Sequence, residues 1–348
     1  MTLELGLDTF GDVTTDDAGL PIPQAQVLRN VVEEGVLADQ VGIDAFSVGE
    51  HHRPDFAISA PEVVLAAIAA RTSRIRLGSA VTVLSTDDPV RVFQRFSTIH
   101  AISSGRAEVT IGRGSFTESY PLFGYDMADY EILAEEKTDL FARLVRDEVV
   151  TWSGRTRSAL DRVRVYPPIE QGTLRTWVAV GGSPQSVLRA AGHGLPLMLA
   201  IIGGSPTRFL PYVQLYRKAL ADAGQPAQPV GVHSPGHIAD TDQQAKDELW
   251  PHYRDMMNRI GRERGWAPIG RDSFEREVEH GALYVGSPET VARRIAATIR
   301  ALGIDRFDLK YANGTLPHSV LMKSIELYGT KVAPRVRELL AEEPAAAT

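Results

Sequence analysis

The chain has 348 residues, of which 43% are hydrophobic and 23% charged, and its formal net charge is −7. These values are ordinary for a globular protein long enough to bury a large core, and the acidic balance argues against a nucleic-acid binder, which needs a basic face. The sequence has no cysteine, which excludes disulfides, thiolate nucleophiles and cysteine-ligated metal centres.

Short β-rich runs alternate with helical patterns along the chain. The first half predicts strands at 3–9, 44–50, 75–84 and 107–112, with helices at 23–41, 61–72, 89–103 and 130–149. The second half predicts strands at 177–180, 197–202, 230–232 and 306–311, each followed by helical sequence. Such alternation indicates parallel strands joined by crossover helices. Eight units in a chain of this length predict an α/β protein of the (β/α)8 TIM-barrel class. A doubly wound sheet is the alternative, but the G-x-G-x-x-G motif typical of it is absent from the sequence.

Two segments do not follow the repeat. Residues 114–129, after strand 4, and 151–175, before strand 5, are rich in glycine, proline and aromatic residues and are longer than ordinary connections. We interpret both as insertions, and the first belongs to the C-terminal mouth, where TIM-barrel enzymes have their active sites. Because no linker interrupts the chain, we predict one domain over 1–340 and a flexible alanine-rich tail at 341–348.

A carboxylate and two histidines, Glu50, His51 and His52, stand at the end of the second predicted strand. Side chains alternate along a strand, so Glu50 and His52 should share one side while His51 faces the other. A metal site in a barrel more naturally uses an H-x-H pair. His233 or His237 could complete a ligand set, but no spacing demands it. The pattern therefore favours a catalytic or ligand-contacting histidine and predicts no metal.

The tetrapeptide Gly181-Gly182-Ser183-Pro184 recurs at 203–206 and, in most of its residues, at 286–289. Serine is a good helix N-cap and proline suits the first helical position. Free amide groups at such a start can also bind a phosphate. Three copies indicate first of all a helix-opening motif, and the residues alone do not identify which copy binds a phosphate. Arg113, between two glycines at the end of strand 4, either binds a phosphate or lies in a surface turn.

Taken in order, these residues resemble the luciferase-like flavin-dependent monooxygenases, over about residues 4–340. The matches are Glu50-His51-His52, Gly78-Ser79-Ala80-Val81, Pro89-Val90-Arg91, Gly105-Arg106, Arg113-Gly114, Phe123-Gly124, Gly194-Leu195-Pro196 and Ala312-Asn313-Gly314. Each match is short, and their order and spacing together carry the resemblance.

The resemblance implies a cofactor and its binding residues. Members of the family are TIM barrels that bind reduced FMN, or in one branch the deazaflavin F420, at the C-terminal mouth. The phosphate is then expected on Arg113, Gly182, Ser183 and Ser186, which selects the first of the three turns.

The resemblance also implies two features around the flavin ring. A non-proline cis peptide, here Ala80–Val81, is expected under the ring, and His51 is expected beside it as the catalytic histidine. Gly112 stands where bacterial luciferase has a reactive cysteine, and Ile201 where it has a tryptophan. The resemblance therefore does not extend to light emission or to a long-chain aldehyde substrate.

The activity implied by the resemblance is oxygenation of a small organic substrate. Reduced FMN, supplied by a separate reductase, would react with O2 to give a flavin C4a-hydroperoxide that transfers one oxygen atom. The alternatives are an F420-dependent hydride-transfer oxidoreductase, a non-catalytic flavin-binding protein and a metal-dependent hydrolase. The family also implies a homodimer. The first residues lack a signal-peptide pattern and no long apolar run occurs, so we predict a cytoplasmic protein without membrane or nucleic-acid partners.

Overall fold

The computed structural model describes residues 3–342, so residues 1 and 2 and positions 343–348 of the predicted tail lie outside it. The β-strands are β1 Glu4–Thr9, β2 Ala45–Val48, β3 Arg76–Ser79, β4 Thr82–Val83, β5 Glu108–Gly112, β6 Val150–Trp152, β7 Leu160–Val163, β8 Arg175–Val180, β9 Leu197–Ala200, β10 Val230–Ile238, β11 Tyr284–Gly286 and β12 Arg306–Lys310. The α-helices are α1 Gln24–Gln40, α2 Pro61–Ala69, α3 Pro89–Ile102, α4 Ser119–Leu122, α5 Tyr130–Arg146, α6 Pro184–Gly192, α7 Leu210–Asp222, α8 Asp242–Arg264, α9 Arg271–His280, α10 Pro288–Leu302, α11 His318–Leu327 and α12 Ala333–Ala341. Short 3-10 segments occupy Leu84–Thr86, Met127–Asp129 and Pro206–Phe209, and a π-helical turn occupies Tyr328–Val332.

The parallel strands form a barrel. Hydrogen bonds connect them in the order β3-β2-β1-β12-β10-β9-β8-β5-β4. β3 and β4 are the two halves of the third predicted strand, because β3 pairs with β2 and β4 pairs with β5. A parallel bridge between Leu77 and Ala107 completes the ring. Counting β3 and β4 as one strand, the ring has eight strands with helices outside it, which confirms the TIM-barrel prediction.

The structure corrects several details of the predicted elements. The third strand is not continuous over 75–84, because it is interrupted at Ala80–Val81, where the peptide bond is cis. The segment 151–175, predicted as a loop, contains β7, which pairs antiparallel with β6 in a separate two-stranded sheet. The seventh strand extends beyond 230–232 to Ile238, and its added length pairs with the unpredicted β11.

Helix starts follow the local sequence. Asp88 caps α3 by accepting hydrogen bonds from the amides of Val90 and Arg91, at 2.9 and 3.3 Å, and Pro89 follows at the first helical position. Both features satisfy or remove the unpaired amide groups that a helix start leaves. The capped start of α3 thus fixes the connection that leads from β4 to the outside of the barrel.

The lower end of the barrel is closed by buried charges. Arg306, at the start of β12, donates to both carboxylate oxygens of Asp308, at 2.8 and 3.0 Å, and also pairs with Glu108 at the start of β5. All three residues are buried. Buried charges are tolerated only when paired, so this cluster forms a fixed, filled layer. The end of the barrel that remains for a ligand is the C-terminal mouth.

Across residues 3–342, the helices are too short or too polar for any of them to span a membrane.

Candidate functional site

An aromatic group surrounds His51 at the C-terminal mouth of the barrel. The His51 ring centroid lies 4.7 Å from that of Phe10, 4.6 Å from that of Phe56 and 5.3 Å from that of Phe116. Phe10 follows β1, Phe56 lies in the loop after β2, and Phe116 lies in the insertion after β5. Three separate segments therefore meet at this half-buried imidazole.

The environment keeps His51 uncharged. Burial lowers the pKa of His51 to about 3, and the positive charges of Lys310 and Arg53 add to this effect. A neutral imidazole has one donor and one acceptor nitrogen. At neutral pH His51 can orient a ligand by hydrogen bonding, but it does not carry an extra proton to give away.

Glu50 and His52 form a separate pair beside His51. Oε1 of Glu50 lies 2.8 Å from Nε2 of His52, and Oε2 accepts a 2.8 Å hydrogen bond from the amide of Val83 in β4. The predicted division is therefore confirmed, because Glu50 and His52 act together and His51 faces other groups. Strand alternation is not its cause, since β2 already ends at Val48.

Sequence reasoning missed an Asp–His pair at the same mouth. Nδ1 of His233, in β10, lies 2.7 Å from Oδ2 of Asp8, in β1. Asp8 is fully buried, and its Oδ1 has no hydrogen-bond partner. The ring of Phe10 stacks against His233 at a centroid distance of 6.0 Å. The available signal was a carboxylate near the C-terminal end of β1, directly after Leu5-Gly6-Leu7.

A buried ion pair lies beneath Phe10. Nζ of Lys310 lies 3.0 Å from Oδ2 of Asp12 and 4.7 Å from the centroid of the Phe10 ring. The amide of Gly314 donates to Oδ1 of Asp12 at 3.0 Å. These contacts hold Phe10 from below, where its ring separates His51 from His233.

A cavity adjoins this mouth between β5, β8, α5 and α6. Its volume is about 20 Å³, and its lining includes Gly112, Arg113, Ala179, Ser186 and Arg189. Nη1 of Arg113 lies 2.7 Å from Oε1 of Glu131 in α5. The predicted residues Arg113 and Ser186 thus face the same space.

The turn before α6 is open on the side of its glycines. Gly182 has a φ of +124°, which favours glycine. A Cβ added to Gly181 would meet no atom within 4 Å. The Ser183 hydroxyl caps α6 by accepting a 3.3 Å hydrogen bond from the amide of Ser186. This arrangement leaves room for a ligand against the start of α6.

Each of the other two Gly-Ser-Pro turns lacks one part of this arrangement, because a Cβ added to Gly286 would lie 2.7 Å from Oδ1 of Asp242 and Ser205 caps no helix. Ser287 caps α10 by accepting from the amide of Thr290, so the helix-opening interpretation is confirmed for both Ser183 and Ser287. The turn at 203–206 opens only the 3-10 segment Pro206–Phe209, without a side-chain cap.

The cis peptide connects the two parts of the site. The carbonyl of Val81 accepts a 3.0 Å hydrogen bond from the amide of Glu50, next to His51. On the other side, a Cβ at Gly112 would lie 2.9 Å from Cγ2 of Val81. Ala80–Val81 therefore lies between the aromatic group around His51 and the cavity of Arg113, so the predicted residues gather at one end of the barrel. Within residues 3–342, His, Asp and Glu side chains nowhere form a group of three that could hold a metal ion.

Comparisons with known proteins show what the chain is similar to in sequence and in fold. A family model described as luciferase-like monooxygenase matches residues 9–306. The alkanal monooxygenase alpha chain of Photobacterium leiognathi is 24% identical over 339 residues, covering 90% of this chain and 94% of the relative.

Two solved structures share the fold. One is the oxygenating constituent of 3,6-diketocamphane monooxygenase from the CAM plasmid of Pseudomonas putida, in complex with FMN, with a TM-score of 0.76, 21% identity and coverage of 97% of this chain and 99% of that one. The other is an F420-dependent secondary alcohol dehydrogenase in complex with an F420-acetone adduct, with a TM-score of 0.73, 17% identity and coverage of 97% and 100%.

Proposed function

The chain belongs to the luciferase-like monooxygenase family of oxidoreductases, and from this membership we propose that it takes reduced FMN from a separate reductase and uses O2 to oxygenate a small organic substrate. The observation that carries the proposal is the shared cavity of Arg113 and Ser186 at the capped start of α6. It supplies a cation and a hydroxyl side by side, and Ala80–Val81 connects it to the aromatic group around His51.

The residues present fit an FMN phosphate. Arg113 supplies charge-assisted hydrogen bonds, and the start of α6 supplies amide groups and the positive end of its dipole. The hydroxyls of Ser183 and Ser186 and the open backbone at Gly182 complete the set. Ala80 and Val81 would support the ring, and when bound the reduced flavin supplies the reaction with O2.

His51 acts in this proposal as a neutral hydrogen-bonding group. Phe10, Phe56 and Phe116 pack around it, and its low pKa keeps it uncharged at neutral pH. The same rings give the mouth an apolar wall. We therefore expect an apolar substrate, held close to the His51 imidazole, rather than a charged one.

The proton in this proposal is held at His233. Its Nδ1 lies within hydrogen-bond distance of the buried carboxylate of Asp8. A histidine whose Nδ1–H is donated to a carboxylate is fixed in one tautomer and has Nε2 as its proton acceptor. The contact with Asp8 thus holds the imidazole with Nε2 directed away from the carboxylate. In this proposal His51 therefore orients the ligand, and His233 transfers the proton.

An F420-dependent hydride-transfer oxidoreductase is the second candidate. The specific observation in its favour is the fold shared with the F420-dependent dehydrogenase. FMN remains the first choice because of the resemblance to the luciferase side of the family. A non-catalytic flavin-binding protein is the third candidate, and FMN binding without formation of any product would favour it; unchanged turnover of His51→Ala would remove His51 from the mechanism.

Binding and oxygen consumption test the proposal. We expect calorimetry to show one FMN site per chain, and an oxygen electrode to show O2 consumption when a flavin reductase with NADH supplies reduced FMN. A panel of a long-chain aldehyde, a cyclic ketone and a monoterpene then tests for a substrate, with product identified by mass spectrometry. Binding of F420 without binding of FMN would favour the second candidate. Binding of neither cofactor would overturn both candidates. Stoichiometric zinc in elemental analysis would instead favour a hydrolase.

The family resemblance further supports a homodimer in the cytoplasm. Light scattering after size exclusion should give twice the mass of the chain, and a monomeric mass at micromolar concentration would contradict the dimer.

A further inference from the structure

Two arginines at the cavity next to α6 share one carboxylate. Nη1 of Arg113 lies 2.7 Å from Oε1 of Glu131, and Nη2 of Arg189 lies 3.7 Å from Oε2 of the same side chain. Arg113 comes from the end of β5 and Arg189 from within α6, so two separate elements direct guanidinium groups to one point. Glu131 lies in the first turn of α5.

The three side chains differ in their exposure. The side chain of Arg189 is only 12% exposed and that of Arg113 25%, whereas that of Glu131 is 68% exposed. Arg113 and Arg189 line the cavity together with Ser186. Exposed ion pairs contribute little to stability because water competes for both partners. The arginines are thus fixed parts of the wall, while Glu131 can leave at small cost.

A phosphate monoester suits two guanidinium groups better than one carboxylate does. It carries a charge of about −1.5 to −2 at pH 7 and three acceptor oxygens, whereas Glu131 brings a single negative charge and two oxygens. Oε2 of Glu135, whose side chain is 75% exposed, also lies 3.9 Å from Nη2 of Arg189, so the carboxylates that face the two guanidinium groups are both exposed to water. A dianionic group between Arg113 and Arg189 would balance both charges and accept hydrogen bonds from each.

We propose that Arg189 is a second phosphate-binding arginine and that Glu131 occupies Arg113 and Arg189 until a phosphate monoester displaces it. This inference rests on the proposed function, which puts the FMN phosphate at this cavity. It adds a residue to the binding set and makes Glu131 an internal competitor of the ligand. The ligand class is a terminal phosphate, not the isoalloxazine ring.

Riboflavin, which is FMN without the phosphate, makes the inference testable with the full-length chain. Dissociation constants of FMN and riboflavin are measured by fluorescence titration for the wild type, Arg189→Gln, Arg189→Lys and Glu131→Gln. Arg143→Gln, on α5 and paired with Asp139, is the control for loss of a nearby positive charge. Circular dichroism checks that each variant is folded.

We expect Arg189→Gln to weaken FMN binding about tenfold or more, the size of a lost charge-assisted contact, with riboflavin binding unchanged within about twofold. Arg189→Lys should recover part of the preference for FMN because it keeps the charge. Glu131→Gln should strengthen FMN binding several-fold, and Arg143→Gln should alter neither ligand.

Two results would overturn the inference while the proposed function stands. If Arg189→Gln keeps the wild-type preference for FMN over riboflavin, or weakens both ligands equally, Arg189 serves only the packing of α6. If Glu131→Gln weakens FMN binding, Glu131 is a support for the arginines and not a competitor. A wild-type chain that binds neither ligand would overturn the proposed function itself, and this inference with it.

Discussion

Asp8 and His233 form their 2.7 Å contact across a strand, because β12 lies between β1 and β10 in the barrel wall. Both side chains therefore leave the wall and meet inside the mouth. The buried carboxylate fixes both the orientation and the tautomer of the imidazole. A solvent-exposed histidine would lack such a fixed partner.

Loss of the Asp8 charge tests the proton-transfer role. We expect Asp8→Asn to lower kcat about 100-fold, the usual scale of one acid–base group, because the amide keeps the shape of the carboxylate but does not fix the tautomer of His233. FMN binding should stay within about twofold of the wild type, since the phosphate site is a separate part of the mouth. The measurements are kcat with a substrate from the panel and FMN titration. An unchanged kcat would remove the pair from the mechanism.

The low pKa of His51 predicts a pH-dependent stability. In the unfolded chain His51 takes up a proton near its ordinary value of 6.5, whereas in the folded chain its pKa is about 3. As pH falls below 6.5, the unfolded state binds more protons, so the free energy of unfolding decreases. The loss is fully developed only at the folded pKa, near pH 3.

His51→Gln should lack this loss. Between pH 7.5 and pH 5 we expect the wild type to lose about 2 kcal/mol more than the variant, at roughly 1.4 kcal/mol per pH unit below 6.5. Urea unfolding at several pH values measures the difference. His280→Gln, at an exposed position, is the control and should follow the wild type. Parallel profiles for wild type and His51→Gln would show that the imidazole is not held neutral.

The capping serines provide a matched pair for the phosphate site. Ser183→Ala and Ser287→Ala each remove the N-cap of one helix, and each should cost about 1 kcal/mol of stability. Only Ser183 caps the helix whose Ser186 lines the cavity proposed for FMN, so only Ser183→Ala should weaken FMN binding. Thermal unfolding and FMN titration of both variants check this. Equal FMN affinities would mean that the hydroxyl of Ser183 serves the helix alone.

Removal of Arg306 should destabilise the whole barrel. Arg306→Met leaves Glu108 and Asp308 buried without their cation, and we expect a loss of about 3–5 kcal/mol. Arg293→Met, which breaks an exposed pair with Glu289, should change stability by less than about 0.5 kcal/mol. Chemical denaturation of the two variants gives both values. Similar stabilities would show that the charged layer tolerates an unpaired carboxylate.

The order of elements was predictable because each strand and each helix is encoded locally. Periodicity and turn residues located the eight barrel strands, and the Ser-Pro turns marked helix starts. β7 was not predicted, because its residues are largely exposed and show no alternation of apolar and polar residues. The interruption of the third strand at Ala80–Val81 also has no local signal in the residues, and only the family resemblance implied a cis peptide there.

The site was predictable in part. The pairing of Glu50 with His52 was predicted from strand alternation, but both residues lie beyond the end of β2 at Val48, so the prediction was right for a different reason. Asp8 and His233 are 225 positions apart, and only the closure of the barrel brings them together. The proximity of Arg189 to Arg113 and Glu131 was equally unpredictable, because no sequence spacing relates these residues. Sequence patterns locate single residues at strand ends, but pairs across the barrel depend on the completed ring.

The ring of Phe10 touches His51 on one side and His233 on the other, with the Lys310 ammonium group beneath it. Both imidazoles therefore have the Phe10 ring as a common neighbour. Substitutions at His51 and His233 should not be additive, and the interaction energy in a double-mutant cycle should shrink when Phe10 is replaced by leucine. We therefore expect the two histidines to be energetically coupled. A substitution that changes the substrate preference at one of them should also affect the other.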